Sequence, residues 1–208
     1  MAEELQAFDP NVRDASGKRL GRIPLKYILP NLITVLAICA GLTGIRMAFE
    51  GRIGDAVWLV LLAAFLDGID GRLARAMKAQ SKFGAQMDSL ADIINFGAAP
   101  ALVLYAAILD QTRQIGWIAA LVYTIACGLR LARFNVMLEE PEKPAWTADF
   151  FVGVPAPLGA FLVMLPIYLN YLFLEVGPRM AAGVSIYTMV IAGLMISQLP
   201  VYSGKSTT

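Results

Sequence analysis

The amino-acid sequence predicts an all-α integral membrane protein with six transmembrane helices and a short N-terminal interfacial segment. Its composition is the first observation: of 208 residues, 58% are hydrophobic and 16% are charged. A soluble domain has about 45–50% apolar and about 25% charged residues. The second observation is that the apolar residues form runs of about 20, which is the length of a helix that crosses a bilayer. The third is that basic residues are concentrated in alternate links between these runs.

Six segments are long enough to span the membrane, because a helix rises about 1.5 Å per residue. The predicted spans are residues 29–49, 55–76, 86–109, 115–137, 152–174 and 180–201. Three of these carry charged residues at one end, and we expect the helices to continue through them. This predicts a polar arm with an interfacial segment over residues 1–27, one six-helix domain over residues 28–202 and a tail over residues 203–208.

The distribution of Lys and Arg predicts the orientation in the membrane. The N-terminal arm and the links after the second and fourth spans are rich in Lys and Arg, whereas the other links hold few. By the positive-inside rule, both termini face the cytoplasm. We therefore expect a multi-pass protein of the cell (inner) membrane with its active site facing the cytoplasm. The net charge of +1 gives no overall field that favours nucleic acid as a partner.

The residue types that are present limit the available chemistry. Histidine is absent, which excludes His-based general base catalysis, serine triads and most zinc sites. Cys39 and Cys127 lie within apolar runs, and we expect both to be inert thiols. Catalysis must therefore depend on carboxylates, Arg, Lys, Ser, Tyr or the backbone.

One stretch, "FLDGIDGRLARAMKAQSKFGAQMDSLAD" (residues 65–92), places four aspartates beside strongly apolar sequence. Asp67 and Asp70 are three residues apart, and Asp88 and Asp92 are four apart, so each pair lies on one face of a helix. Four carboxylates at a membrane surface repel one another unless a cation neutralises them. Ligands that are all oxygen favour a hard divalent ion, Mg²⁺ or Mn²⁺. The stretch therefore predicts a metal site that two ions can share.

Glycines and an arginine are interleaved with these acids. Each glycine costs a helix about 1 kcal/mol relative to alanine, but Gly71 and Gly84 let a ligand approach the backbone. Arg75 lies four residues after Gly71, and its guanidinium suits a phosphate. Two other interpretations are a set of interfacial anchors and a divalent-cation transporter. A transporter would place its acids near mid-membrane on broken helices, whereas these acids lie on one side beside basic residues.

The spacing D-x2-D-G-x2-A-R-x8-G-x3-D-x3-D resembles, without departure, the signature of the CDP-alcohol phosphotransferase family. The resemblance implies a six-helix membrane enzyme, often a homodimer. Such an enzyme transfers a phosphatidyl or similar group from a CDP-linked donor to a hydroxyl and releases CMP. It implies that Asp92 is also the base on the acceptor hydroxyl. The implied ligands of two divalent cations, Mg²⁺ or Mn²⁺, are Asp67, Asp70, Asp88 and Asp92.

The same resemblance implies a binding site for the CDP-linked lipid. "PNLIT" (residues 30–34) resembles the entrance motif of the family's first helix. Asn31 could equally be a plain helix cap. The implied donor contacts are Asn31, Thr34, Gly71, Ala74, Arg75, Ser81 and Gly84.

Two further stretches, "GLRLARFNV" (128–136) and "FVGVPAP" (151–157), resemble the phosphatidylserine synthases of this family. They imply CDP-diacylglycerol and L-serine as substrates. Arg130 and Arg133 share one helix face and suit the serine carboxylate, while Asn95 and Asn135 suit its ammonium or hydroxyl. The arginines could instead be positive-inside anchors or head-group ligands. Glycerol 3-phosphate, inositol phosphate and choline therefore stay open as acceptors, as in phosphatidylglycerophosphate or phosphatidylinositol-phosphate synthases.

Overall fold

A computed structural model describes residues 25–78, 81–139, 150–172, 178–197 and 200–202. This part of the chain is a bundle of helices with one short β-ribbon. The α-helices are α1 (Leu25–Phe49), α2 (Ile53–Ala76), α3 (Lys82–Asp92), α4 (Ala99–Ala107), α5 (Gln114–Glu139), α6 (Ala156–Leu172) and α7 (Pro178–Ile196). A π-helical segment, Ile93–Ala98, joins α3 to α4, and a 3₁₀ turn, Leu109–Thr112, precedes α5. Strand β1 is Phe150–Val152 and strand β2 is Pro200–Tyr202.

The helices overlap all six predicted spans. Three are long and apolar enough to cross a membrane: Ile28–Phe49, Phe83–Ala107 and Gln114–Met137. Ala156–Asn170 and Met180–Ile196 are apolar but shorter. Helix α2 carries Asp and Arg side chains in its last turns. The helical class is therefore confirmed, and the apolar helices are those of a multi-pass membrane protein.

Helices α1 and α2 form an antiparallel hairpin that carries one side of the site. A tight turn at Gly51, with φ of +79°, joins them. A Cβ at Gly44 would lie 3.2 Å from the Ala56 carbonyl oxygen, so the two backbones approach closely where the side chain is missing. At the far end of the hairpin, Thr34 contacts Asp70. This close packing fixes the start of α1 against the acidic end of α2.

The π-helical segment has a clear cause in the sequence. Pro100 has no N–H, so it cannot bond the carbonyl of Phe96 four residues earlier. The hydroxyl of Tyr123 on α5 donates to that carbonyl instead, at 3.0 Å. The Ala99 N–H reaches back five residues to the Ile94 carbonyl. Both Tyr123 and Pro100 are fully buried, so this irregular turn lies in the centre of the bundle.

The short β-ribbon is a feature that the sequence analysis did not predict. Its strands pair antiparallel, with Phe151 opposite Val201. Residue 152 was expected to begin the fifth span, but α6 begins at Ala156. Gly153 has φ of +75°, and a residue before proline, here Val154, disfavours the α region. The sixth predicted span is also too long, because α7 ends at Ile196 and the chain enters β2.

Replacing Gly153 with alanine is expected to lower thermal stability. The added Cβ would lie 2.6 Å from the Met195 carbonyl oxygen and 2.8 Å from that of Ser197. A non-glycine residue at such a φ costs about 1–3 kcal/mol before any clash. The measurement is thermal unfolding in detergent. Gly183→Ala on α7 is the matched control, since no atom lies within 4 Å of its Cβ position. Equal melting temperatures for the two variants would contradict the close contact.

Candidate active site

Three of the predicted aspartates meet where α2 and α3 face each other. Asp67 and Asp70 lie on the last turns of α2, and Asp88 lies in the middle of α3. One carboxylate oxygen from each lies within 4.8 Å of the other two. The link from Met77 to Ser81 is short enough to bring the two pairs together. Three of the four aspartates that the sequence analysis expected to share a metal site therefore lie together.

Asp92 lies one helical turn beyond Asp88 and outside that group of three. Its strongest electrostatic neighbour is Asp67, followed by Asp88 and Asp70. It also interacts with Asp67 as a hydrogen-bond partner, so its carboxylate adjoins the cluster at Asp67. This position suits a group that contacts both the cluster and a molecule beside it.

Two carboxylate oxygens of the cluster accept no hydrogen bond from the described residues. Asp67 Oδ1 and Asp70 Oδ1 are buried and have no hydrogen-bond partner within the described residues. The other Asp70 oxygen accepts from the Thr34 hydroxyl at 2.5 Å. The ion pairs of the described chain, Arg46–Glu50 and Arg52–Asp55, lie at the opposite ends of these helices. Buried carboxylates without ion pairs are suited to coordinate a metal.

A cleft of about 340 Å³ opens beside the acids, between the start of α1, the end of α2 and α3. Every residue that was predicted to contact the CDP-linked donor lines it. The lining is Pro30, Asn31, Thr34, Asp70, Gly71, Ala74, Arg75, Ser81, Gly84, Ala85 and Asp88. Pro30 and Ala85 were not predicted; their position beside motif residues on the same helices is the signal that could have found them.

Gly84 is required by the packing at the floor of this cleft. A Cβ there would lie 3.1 Å from Ser81 Oγ and 3.2 Å from Asn31 Oδ1. Ser81 is the N-cap of α3, and its hydroxyl accepts from the Gly84 N–H at 3.0 Å. Asn31 lies inside α1, which begins at Leu25, so the interpretation of Asn31 as a helix cap is wrong. The amide of Asn31 instead faces the cleft.

The four predicted acceptor contacts occupy different positions. Arg130 on α5 is partly buried, has Asp92 among its electrostatic neighbours, and its Nε has no hydrogen-bond partner among described residues. Arg133 Nη1 donates to the Ile196 carbonyl at 2.8 Å, which ties α5 to the end of α7. Asn135 donates to Ser89 Oγ at 3.0 Å. Asn95 is fully buried beside Asp67.

A second cavity, of about 290 Å³, was not predicted. It extends from Asp67 and Asn95 along α6 to Phe161 and Tyr168, and its lining is mostly apolar. Its walls come from α2, the π-helical segment and α6, which are distant in sequence. No local pattern predicts that these three elements enclose a space.

Comparisons with known proteins agree with this geometry. The model of the family described as CDP-alcohol phosphatidyltransferase matches residues 27–196. A protein of Mycobacterium leprae (strain TN) is 54% identical over 137 residues, covering 66% of this chain and 45% of that protein. One of Bacillus subtilis (strain 168) is 36% identical over 154 residues, covering 74% of this chain and 82% of that protein. Both are named CDP-diacylglycerol–serine O-phosphatidyltransferase.

A solved structure shows a similar fold. The crystal structure of Mycobacterium tuberculosis phosphatidylinositol phosphate synthase with CDP-DAG bound matches with a TM-score of 0.59 at 21% identity. The match covers 85% of this chain and 89% of that one. The chain spans only 45% of the M. leprae relative's length, so that relative's name describes a longer protein.

Proposed function

The chain belongs to the CDP-alcohol phosphatidyltransferase family, and from this premise we propose that it transfers the phosphatidyl group of CDP-diacylglycerol to the hydroxyl of L-serine. The products are phosphatidylserine and CMP. The observation that carries the proposal is that the donor cleft and the acidic cluster share two residues: Asp70 and Asp88 line the cleft and belong to the cluster. The names of the relatives and the position of Arg130 support serine as the acceptor.

The acidic cluster fits a pair of hard divalent cations. Three carboxylate oxygens lie within 4.8 Å of one another, and two buried carboxylate oxygens have no hydrogen-bond partner among the described residues. Such oxygens are suitable ligands for Mg²⁺ or Mn²⁺. Asp67, Asp70 and Asp88 would hold the ions, with Asp92 as the fourth ligand. When bound, the ions would neutralise the negative charge of the pyrophosphate and of the departing CMP.

The cleft would bind and orient the donor. Gly71 leaves open space beside Arg75, whose Nη1 lies 3.9 Å from the Gly71 Cβ position. A phosphate at Gly71 would therefore lie within reach of the guanidinium, which suits bidentate contacts. Asn31 and Thr34 form the wall of the cleft that α1 provides, and we assign the nucleotide to that wall. Ala74, Ser81 and Gly84 complete its floor.

Asp92 is the proposed general base. The serine hydroxyl oxygen attacks the phosphorus of the phosphatidyl group, and the bond from that phosphorus to the CMP oxygen breaks. The hydroxyl proton moves to the Asp92 carboxylate. The attacking oxygen, the phosphorus and the departing oxygen are best aligned in line for such a displacement. The position of Asp92 at the edge of the cluster, towards α5, suits this role.

Arg130 is the proposed ligand of the serine carboxylate. Its guanidinium is partly buried near the proposed base, and its Nε has no hydrogen-bond partner within the described residues. Such a group suits a substrate anion. Arg133 and Asn135 already bond the protein, so their contribution is to hold α5 in place as well as to contact the acceptor. Asn95 is fully buried beside Asp67.

For the membrane arrangement, we propose six spanning helices within residues 28–202, with both termini cytoplasmic. The charged ends of α2 and α3 and the basic links between spans support this orientation. Residues 1–24 of the polar arm (1–27) and the tail (203–208) lie outside the described residues, and residues 25–27 form the start of α1. A homodimer in the inner membrane follows from family resemblance and stays a prediction.

The test is CMP release by purified protein with CDP-diacylglycerol and Mn²⁺, given one alcohol at a time. Serine is expected to support release, and glycerol 3-phosphate, inositol phosphate and choline are not. Release only with another alcohol would keep the family reaction and overturn serine. If folded protein releases no CMP with any alcohol, the proposed reaction is overturned and a cation transporter is favoured. Thermal unfolding separates the two functions: CDP-diacylglycerol or CMP with Mn²⁺ should stabilise a transferase but not a transporter.

A further inference from the structure

Asn95 is a buried polar residue that the fold does not explain. It is 0% exposed, and neither its Nδ2 nor its Oδ1 has a hydrogen-bond partner among the described residues. Burying an amide without partners costs about 1–3 kcal/mol by protein mutational data. A leucine, which branches at the same carbon, would carry no such cost for a buried polar group. The carboxamide therefore has a purpose other than packing.

The surroundings hold this carboxamide in one place. A Cβ at Gly41 would lie 2.7 Å from Asn95 Oδ1, so α1 leaves room for the amide by having no side chain there. Gly41 is seven residues after Thr34, which puts both on one face of α1. Thr34 contacts Asp70. The same face of α1 therefore contacts Asp70 through Thr34 and, at Gly41, lies against Asn95, the neighbour of Asp67. The π-helical segment places Asn95 within this arrangement.

The neighbour that matters is Asp67. The Asn95 side chain lies near enough to the Asp67 carboxylate to interact with it as a hydrogen-bond partner, although Asn95 Nδ2 and Asp67 Oδ1 do not have the geometry of a formed hydrogen bond. A donor and an acceptor thus lie close together without a well-formed bond between them. The last torsion of an asparagine side chain is soft, so a small rotation lets Nδ2 donate to Asp67. Carboxylates that bind metals are usually held by such hydrogen bonds.

We propose that Asn95 is a positioning residue that orients Asp67 for cation binding, with Gly41 as the backbone surface against which the carboxamide rests. This differs from contact with the acceptor, because it acts before any substrate is bound. It rests on the proposed metal-binding role of the aspartates. Loss of this support typically weakens metal affinity about 10–100-fold.

The experiment measures Mn²⁺ affinity by electron paramagnetic resonance on the full chain in detergent, without substrate, together with thermal unfolding of the metal-free protein. Asn95→Leu is expected to weaken Mn²⁺ binding about 10–100-fold while leaving the melting temperature unchanged or raised. Thr188→Val is the matched control, since Thr188 is fully buried on α7 and, among the described residues, donates to the Val184 carbonyl of its own helix. It is expected to keep the wild-type affinity.

Gly41→Ala tests the same contact from the other side. The new methyl displaces the carboxamide, so weaker Mn²⁺ binding is expected, whereas Gly183→Ala, with open space around it, should leave binding unchanged. Wild-type affinity in Asn95→Leu would overturn the proposal. A clear loss of stability in Asn95→Leu would overturn it too, because it would show that Asn95 supports the fold. If the wild-type protein binds no Mn²⁺, the proposed metal site fails, which is a separate result.

Discussion

Asp92→Asn is expected to lower turnover by about 10²–10⁴-fold, the range that a positioned general base contributes. Asparagine has nearly the shape of aspartate but cannot accept the proton of the serine hydroxyl. The side-chain oxygen of asparagine can still serve as the fourth ligand, and the other three ligands, whose oxygens lie within 4.8 Å of one another, are unchanged. Mn²⁺ binding should therefore fall less than turnover. The measurement is kcat for CMP release, with Mn²⁺ affinity and melting temperature determined on the same samples.

Two further variants separate the roles of the acids. Asp67→Asn removes a ligand with a buried oxygen in the cluster, so it is expected to lose Mn²⁺ affinity and turnover together. Asp55→Asn is the matched control on the same helix, because Asp55 is exposed and, within the described residues, pairs with Arg52. It should keep wild-type activity. Normal turnover in Asp92→Asn would contradict its assignment as the base.

Arg130→Gln is expected to lower kcat/KM for serine about 10–100-fold. A hydrogen bond to a charged group contributes about 1.5–3 kcal/mol, and about 1.36 kcal/mol corresponds to a tenfold change in rate. The donor cleft does not include Arg130, so the KM for CDP-diacylglycerol should stay near its wild-type value. The measurement is initial rates with each substrate varied in turn.

Arg133→Gln is the comparison for this prediction. Arg133 bonds the Ile196 carbonyl at the end of α7, so its loss is expected to lower the melting temperature more than it raises the KM for serine. The two variants should thus differ in which property changes. If Arg130→Gln leaves the KM for serine unchanged, the carboxylate is bound elsewhere and Arg130 is an anchor at the membrane surface.

Much of the candidate site was predictable from one local stretch. The motif from Asp67 to Asp92 lies on two helices joined by a short link. Helical periodicity places each pair of acids on one face of its own helix, and the short link keeps the two helices close. The same holds for Gly71, Arg75 and Gly84, which line the cleft. The β-ribbon was missed because a glycine with positive φ and the following X-Pro pair interrupt an apolar run that reads as one span.

The sequence by itself determined the family, the helical membrane class and the acidic cluster, because these depend on composition and on spacings of a few residues within neighbouring helices. Only the tertiary structure decided which residues far apart in the sequence contact each other. It showed that Arg133 bonds the end of α7, whereas Arg130 Nε has no hydrogen-bond partner among the described residues. It also placed Gly41 against Asn95 and enclosed the second cavity with α6. Contacts between residues this far apart in the chain depend on how whole helices pack, and no local pattern of residues encodes that packing.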